Sequence, residues 1–316
     1  MGRPQGAQAI GTALPPIFQQ RPAWLIGYGL LSPALAIMAA MLVAPLLAMA
    51  VLSFWTQHSF DIDRTLTLAN YWALVEPSSE PTIWMGISFP LKYPVPAILL
   101  IKSIIMSLAV TVAVIAMSYP MAYFLAFRVQ RNKALWLVLL TIPFWTSYLL
   151  RVFAWKIMLG FNGAINSGLK SLGLIGEPLS FLLYNPLAVI ITLAHAWVAF
   201  AVLPIFVSLE KIDRSLLEAA TDLGDSKWRR FLRVTLPLSA PGTIGAALLV
   251  FIPTVGDYVT PRFVGGGAAM MGNFIENQFS LGFNWPMGSA MSFAVLACSL
   301  LVVLGFRQLL RWGLAP

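Results

Sequence analysis

The sequence predicts an all-α, polytopic membrane protein with about six transmembrane helices, and three observations carry that expectation. Apolar residues make up 59% and charged residues 10% of the 316 positions, against roughly 45–50% and about 25% in soluble domains. Apolar runs near 24–54, 101–127, 134–157, 187–209, 238–260 and 287–310 each exceed the ~20 residues of helix that cross a hydrocarbon core. They are continuous, unlike the alternating segments of a membrane β-barrel. The basic residues are distributed unevenly. With the N-terminus inside, Arg3, Arg21, Arg128, Arg131, Lys133, Lys211, Arg214, Lys227, Arg229, Arg230, Arg233, Arg307 and Arg311 fall on the cytoplasmic side. The opposite loops keep Arg64, Lys92, Lys170 and Arg262, while Lys102, Arg151 and Lys156 stand in or near helix ends. The net charge of +8 is then an orientation signal, and it needs no nucleic-acid partner.

Taken in order, residues 1–23 are expected as a cytoplasmic tail and 24–316 as one transmembrane domain. The first apolar run contains Pro33 and Pro45, is too long for a signal-peptide core and precedes no convincing cleavage site, so it is expected to be retained. Residues 55–100 carry Asp61, Asp63, Glu76 and Glu80 beside Trp55, Tyr71, Trp72 and Trp84, a mixture suited to the outer membrane rim. Residues 158–186, interrupted by Gly160, Gly163, Asn166, Gly168, Gly173, Gly176 and Pro178, are too broken to span and are expected as an outer loop or re-entrant turn. The segment 261–286, with Gly265, Gly266, Gly267, Asn273 and Pro286, is similar. Cys298 has no partner cysteine, and His58 and His195 are isolated, His195 being expected as a packed polar residue. No cysteine or histidine metal cluster, Walker-type phosphate loop or nucleophile–base arrangement is present in the sequence, so no metal, cofactor or catalytic residue is expected in this chain.

The charged loop at about 210–237 carries the most specific pattern. Glu218-Ala219-Ala220-Thr221-Asp222-Leu223-Gly224 is followed by Val234-Thr235-Leu236-Pro237. Ser215 and Glu218 have the spacing of a capping box, and Gly224 suits the left-handed turn that ends a helix. The expected product is a helix of about two turns, with Leu216, Leu217, Ala220 and Leu223 on one face and Glu218 and Asp222 on another. Small Ala219 and Ala220 leave room for a partner. Next, Trp228, Phe231 and Leu232 alternate with Lys227, Arg229, Arg230 and Arg233, the layout of a helix lying on a membrane surface, and Pro237 marks entry to the next span. A short capped helix in an ordinary cytoplasmic loop explains the Ala-Ala-Gly combination alone, but not the whole spaced pattern between two spans.

That pattern resembles the EAA loop of permease subunits in binding-protein-dependent ATP-binding-cassette importers, with Val234 where Ile is more usual. The resemblance implies a type I ABC importer permease fold in a bacterial inner membrane. It further implies docking through Glu218, Ala219, Ala220 and Gly224 onto two ATPase subunits that bind ATP and Mg, a second permease subunit, and an extracytoplasmic solute-binding protein.

A second resemblance narrows the substrate. The run from Pro143 through Trp145, Tyr148 and Arg151 to Trp155, then Gly163-Ala164-Ile165-Asn166, is similar to the third span and outer loop of spermidine/putrescine permeases. Phe251-Ile252-Pro253-Thr254-Val255-Gly256-Asp257-Tyr258-Val259-Thr260-Pro261 resembles the end of their fifth span, with Asp257 where Glu is common. This implies a polyamine importer. Physically, Tyr148, Arg151 and Trp155 share a helix face at i, i+3 and i+7. Trp145, Tyr148, Arg151, Trp155, Asp257 and Tyr258 are therefore the candidates for a substrate path, since intramembrane charges face a partner or a watery cavity. A carboxylate and aromatic faces suit a polyammonium. Arg151 does not, and the sequence leaves open whether it pairs with Asp257 or caps backbone carbonyls. Other readings are an importer permease for an opine, γ-aminobutyrate or an amino-acid-derived solute, an ATP-independent secondary carrier, and a membrane enzyme. The carrier would need coupling-ion sites in the spans, and the enzyme a catalytic constellation.

Overall fold

A computed structural model describes residues 23–77, 82–84, 87–89, 94–182, 184–266 and 270–313. Most of the expected tail, together with Glu80, Lys92 and Gly267, lies outside the described residues. The chain divides into two units, Met1–Val51 and Leu52–Pro316. The first holds nearly all of α1 (Ala23–Ser53), which runs through Pro33 and Pro45 without a charged residue in its end turns. Leu30, Met38 and Met41 are exposed along it, as suits a helix whose solvent is lipid.

The second unit begins with a hairpin of β1 (Thr56–His58) and β2 (Asp61–Asp63), in which Thr56 pairs with Asp63 and His58 with Asp61. Then come α2 (Ala69–Val75) and a second hairpin, β3 (Thr82–Trp84) with β4 (Ile87–Phe89). The expected rim segment is therefore partly ordered as strands, so the all-α class holds for the spans and not for this connection. Side chains fix it: Asn70 Nδ2 donates to the carbonyls of Ser53 (3.0 Å) and Trp55 (2.6 Å), and Gln57 Nε2 donates to Phe283 O (2.6 Å). These bonds are long-range and polar, and no local periodicity announces them.

The bundle follows as α3 (Val95–Phe127), α4 (Lys133–Thr141), α5 (Tyr148–Leu159), α6 (Ala164–Ser171), α7 (Pro186–Glu210), α8 (Arg214–Asp222), α9 (Lys227–Arg230), α10 (Leu236–Val255), α11 (Val259–Val264), α12 (Met271–Ser280) and α13 (Trp285–Gly313). Its core is the triangle of α3, α7 and α10. On α3, Met106, Val110, Val114 and Leu125 are buried at helical spacing against Val189, Leu193, Ile205 and Leu209 of α7 and Ala246 and Val250 of α10. In lipid, helix association rests on close packing rather than on water exclusion, which favours small residues at the seams. Gly242 shows why: a Cβ there would collide with Ser208 of α7. Buried Tyr119 and Ser239 tie α3 to α10 through a hydroxyl pair at 2.7 Å.

Two expected spans differ from the sequence reading. The run at 134–157 is not one helix: Pro143 opens a 3₁₀ turn (Ile142–Trp145), Thr146 and Ser147 are extended, and the helical pieces on either side meet at 81°. Among the described residues there are thus five uninterrupted helices of spanning length and a sixth that is broken. The fifth begins earlier than expected. The basic segment after Gly224 is not a separate surface helix, because Lys227–Val255 is continuous. A π turn at Phe231–Thr235 joins α9 to α10. Pro237 has no N–H to give to the preceding turn, and a locally wider helix accommodates that loss. Phe231 is drawn onto the bundle, edge-on to Tyr119 at 5.7 Å. Likewise α3 starts at Val95, with Pro96 in its first turn where an absent N–H costs nothing.

Candidate functional site

The α8 element has the length and the turn that its sequence implies, but a different cap. Asp213, not Ser215, is the N-cap, and its carboxylate accepts from Ser215 N at 3.0 Å. Those hydrogen bonds hold the Asp213 carboxyl below its ordinary value of 3.8. The Ser215–Glu218 capping box is not formed, because the helix starts at Arg214, two residues before the Leu216 start that the box requires, so Ser215 lies inside the first turn with its own N–H capped by Asp213. At the other end Gly224 has φ +87°. Its N–H donates to Thr221 O (2.9 Å) and that of Asp225 to Ala220 O (3.0 Å), closing the helix.

The expected apolar face of α8 is split. Leu217 and buried Ala220 turn towards the bundle, while Leu216 lines a groove of ≈640 Å³ with Lys211, Leu238 and Pro241, and Leu223 is 89% exposed. Glu218, Ala219 and Gly224 are exposed. The element is braced from behind: Arg230 Nη1 donates to Thr221 Oγ1 at 2.7 Å, and Arg233 pairs with Asp225 at 3.4 Å. The result is a short, pre-shaped knob with a carboxylate, a small residue and an apolar tip directed outward.

At the far end of α10, Gly256 ends the helix and Asp257 occupies the turn before α11. Its carboxylate is held from two sides. Oδ2 accepts from Tyr148 OH at 2.9 Å and from Thr260 N at 3.4 Å, and Oδ1 accepts from Val259 N at 3.1 Å. Tyr148 OH also meets Thr260 Oγ1 at 2.6 Å. The break before α5 makes this possible, because Tyr148 is the first residue of the new helix. A cavity of ≈370 Å³ is lined by Tyr148, Arg151, Trp197, Phe200, Asp257 and Tyr258.

Arg151 lines that cavity but does not pair with Asp257 among the described ion pairs. Its Nη1 donates to Ala196 O at 3.3 Å, and its guanidinium lies 4.9 Å from the Phe144 ring centre and 5.9 Å from that of Tyr148. Of the two roles the sequence left open for Arg151, the structure therefore has the backbone contact and not the ion pair.

Four candidate path residues thus meet: Tyr148, Arg151, Asp257 and Tyr258. Two do not. Trp145 is 80% exposed and belongs to a separate hollow of ≈230 Å³ with Phe144 and Phe200. Trp155 packs edge-on against His195 at 5.3 Å, and Phe144 stacks on the same imidazole at 6.4 Å. His195 is thus a packed residue, as expected. Sequence reasoning missed Trp197 and Phe200 of α7 and Thr260 of α11. The i, i+3 spacing of Trp197 and Phe200 is a helical-face signal, but which neighbour that face meets is tertiary information.

The turn at Asp257 is also clamped by α12. A Cβ on Gly272 would lie 2.7 Å from Gly256 O and 3.0 Å from Asp257 O, and Asn273 Nδ2 donates to Tyr258 O at 2.6 Å. Only glycine admits that approach.

Residues 29–312 match the family described as binding-protein-dependent transport system inner membrane component. The chain is 39% identical over 214 residues to the spermidine/putrescine transport system permease protein PotB of Escherichia coli K12, covering 67% of this chain and 76% of that one. It is 33% identical over 264 residues to PotB of Haemophilus influenzae, covering 83% and 86%. Among solved structures, a bacterial ABC transporter that imports the acidic polysaccharide alginate superposes with a TM-score of 0.60 at 18% identity, over 91% of this chain and 95% of that one. A second structure of an alginate transporter, in complex with a periplasmic protein that holds an alginate pentasaccharide, superposes with a TM-score of 0.59. At such identities the likeness is one of fold.

Proposed function

Because this chain belongs to the family of binding-protein-dependent transport system inner membrane components, we propose that it forms half of a translocation pathway for a polyamine and couples it to a separate ATPase. It is a multi-pass inner-membrane permease subunit of an ABC importer. The second half of the pathway comes from a second permease chain. Two ATPase subunits supply ATP hydrolysis, and an extracytoplasmic binding protein delivers the solute. The basic-residue asymmetry supports a cytoplasmic N-terminus and α8, with the Asp257 turn on the opposite side.

The observation that carries the substrate reading is a carboxylate in an aromatic cavity that the neighbouring cation leaves free. Arg151 spends its charge on Ala196 O and the Phe144 face, so Asp257 keeps its own for an incoming ammonium. The rings of Tyr148, Trp197, Phe200 and Tyr258 border the same space and present faces to a cation, each contact worth about 0.5–2 kcal/mol with desolvation. The PotB relatives, named as spermidine/putrescine permeases, support the same substrate class.

A second reading has one observation in its favour. Arg151 Nε, buried in the same wall, has no hydrogen-bond partner among the described residues, and a carboxylate of an amino-acid-derived solute would satisfy it while its ammonium met Asp257. Uptake by the importer reconstituted in proteoliposomes separates the two: saturable uptake of spermidine or putrescine, inhibited by neither opines nor γ-aminobutyrate, is expected, and the reverse preference would overturn the polyamine reading. Orientation is tested with single cysteines at Arg131 and Ser171 in a Cys298→Ser background. Only Ser171→Cys should react with an impermeant reagent in intact cells, both should react in lysed cells, and the opposite pattern reverses the topology.

A further inference from the structure

Beyond the Asp257 cavity lies a second one of ≈540 Å³, bordered by Gly256, Tyr258, Glu276, Phe279, Ser280 and Ser292. Gly256 and Tyr258 line both cavities, so the two adjoin at the Asp257 turn. The second cavity has its own carboxylate. Glu276 projects from α12 with its side chain 25% exposed; Oε2 accepts from Arg262 Nη1 at 2.8 Å and Oε1 from Ser280 Oγ at 3.1 Å. Its walls are fixed rather than loose. The Phe279 ring lies where a Cβ on Gly288 would come within 2.9 Å of it, so α13 approaches it closely only because position 288 is glycine. Met271 N donates to Ser103 Oγ at 2.7 Å, seating the start of α12 on α3.

One carboxylate balances one ammonium, whereas a triamine carries three charges that each need a partner when water is removed. We propose that Glu276 is the binding group for a second ammonium of the polyamine whose first ammonium is held at Asp257, with Arg262 as the cation it displaces. This rests on the polyamine reading of the Asp257 cavity. The exchange conserves charge: the ammonium takes the place of a guanidinium on the same carboxylate. Arg262 is suited to leaving, since its side chain is already 50% exposed. Tyr258 and Phe279 line the same cavity and give the methylene chain and the charge aromatic neighbours. A triamine spreads its ammoniums over a longer chain than a diamine does, so engaging Asp257 and Glu276 together favours the longer polyamine.

The test is uptake of spermidine and putrescine by the complete reconstituted importer, normalised to the amount of assembled complex. Glu276→Gln should raise the spermidine KM relative to the putrescine KM by roughly fivefold, the scale of a partly exposed ion pair. Arg262→Gln should shift the same ratio the other way, because the competing cation is gone. If both variants instead shift it in the same direction, the Arg262–Glu276 pair is only a structural tie between α11 and α12, and the inference is overturned. An unchanged ratio in Glu276→Gln overturns it as well while leaving the polyamine reading standing. Failure of the unsubstituted importer to take up either polyamine overturns both.

Discussion

The two ends of α10 carry the candidate functional residues, in settings of opposite character. Before Leu236, a knob built by α8 turns Glu218, Ala219 and Leu223 outward and is braced by Arg230 and Arg233. After Val255, Asp257 is drawn inward, held by Tyr148, Val259 and Thr260 in a cavity that Trp197, Phe200 and Tyr258 also line. Twenty residues of helix separate them, which at ~1.5 Å each is about 30 Å, one hydrocarbon thickness. A docking surface has to be solvated and self-supporting before its partner arrives. A cation site has to be desolvated enough for a carboxylate to matter, and the proposed one is lined by residues from α5, α7, α10 and the turn before α11.

The largest effect should come from the docking end. Replacing Gly224 by Asp meets no steric obstacle, since nothing lies within 4 Å of a Cβ there, but it forces a side chain onto φ +87°, which costs about 1–2 kcal/mol. It also puts a new charge on the proposed interface. Binding-protein-stimulated ATP hydrolysis in the assembled importer should fall more than about tenfold, with Glu218→Lys giving a similar loss; full stimulation in both would dismiss α8 as the docking element. At the other end, Asp257→Asn should raise the substrate KM by about tenfold while complex yield on purification stays near normal, and Asp257→Glu should recover part of it. Equal losses of yield and uptake would make the turn a structural element only.

Smaller effects sharpen the contrast. Tyr148→Phe removes one donor to Asp257, worth about 0.5–1.5 kcal/mol, and should weaken uptake several-fold without touching ATPase stimulation. Because Arg151 and Asp257 do not form an ion pair, an Arg151→Gln, Asp257→Asn double variant should show no recovery of assembly over the single changes. Recovery would mean that the pair forms in another conformation of the transporter. The smallest effect is at the α8 cap. Asp213 has a depressed folded-state pKa, so its contribution is present above the ordinary carboxylate value and is lost as pH falls through the lowered one. Circular dichroism melts of the detergent-solubilised protein should show Asp213→Ala slightly less stable near neutral pH and equal to the parent in strong acid.

How much of each end was legible in the sequence follows from how local its physics is. The α8 helix, its two-turn length and the positive φ at Gly224 are consequences of neighbours along the chain, and spacing alone reveals them. Even there the cap differs from the spacing: Asp213 caps the N–H of Ser215, whereas Ser215 as N-cap would serve an N–H further along, and which of them caps depends on where the first turn starts. The Asp257 cavity was legible as a list of polar and aromatic residues, of which the cavity gathers only part. Trp145 and Trp155 have the right chemistry and the right spacing, but the break at Pro143 turns one outward and the packing around His195 occupies the other.

By itself, then, the sequence determined that the chain lives in lipid, roughly where it crosses, which loops carry the positive charge, and where the EAA-like pattern lies. Those are matters of composition and short-range periodicity, to which a bilayer responds directly. Only the tertiary structure decided that the third span is broken, that α9 runs through a π turn into the fifth, and that the rim connection contains hairpins. It also decided that Arg151 faces Ala196 and Phe144 rather than Asp257. Each of these depends on which helix face meets which partner at distances of tens to hundreds of residues along the chain, and a carboxylate chooses among donors by where packing puts them.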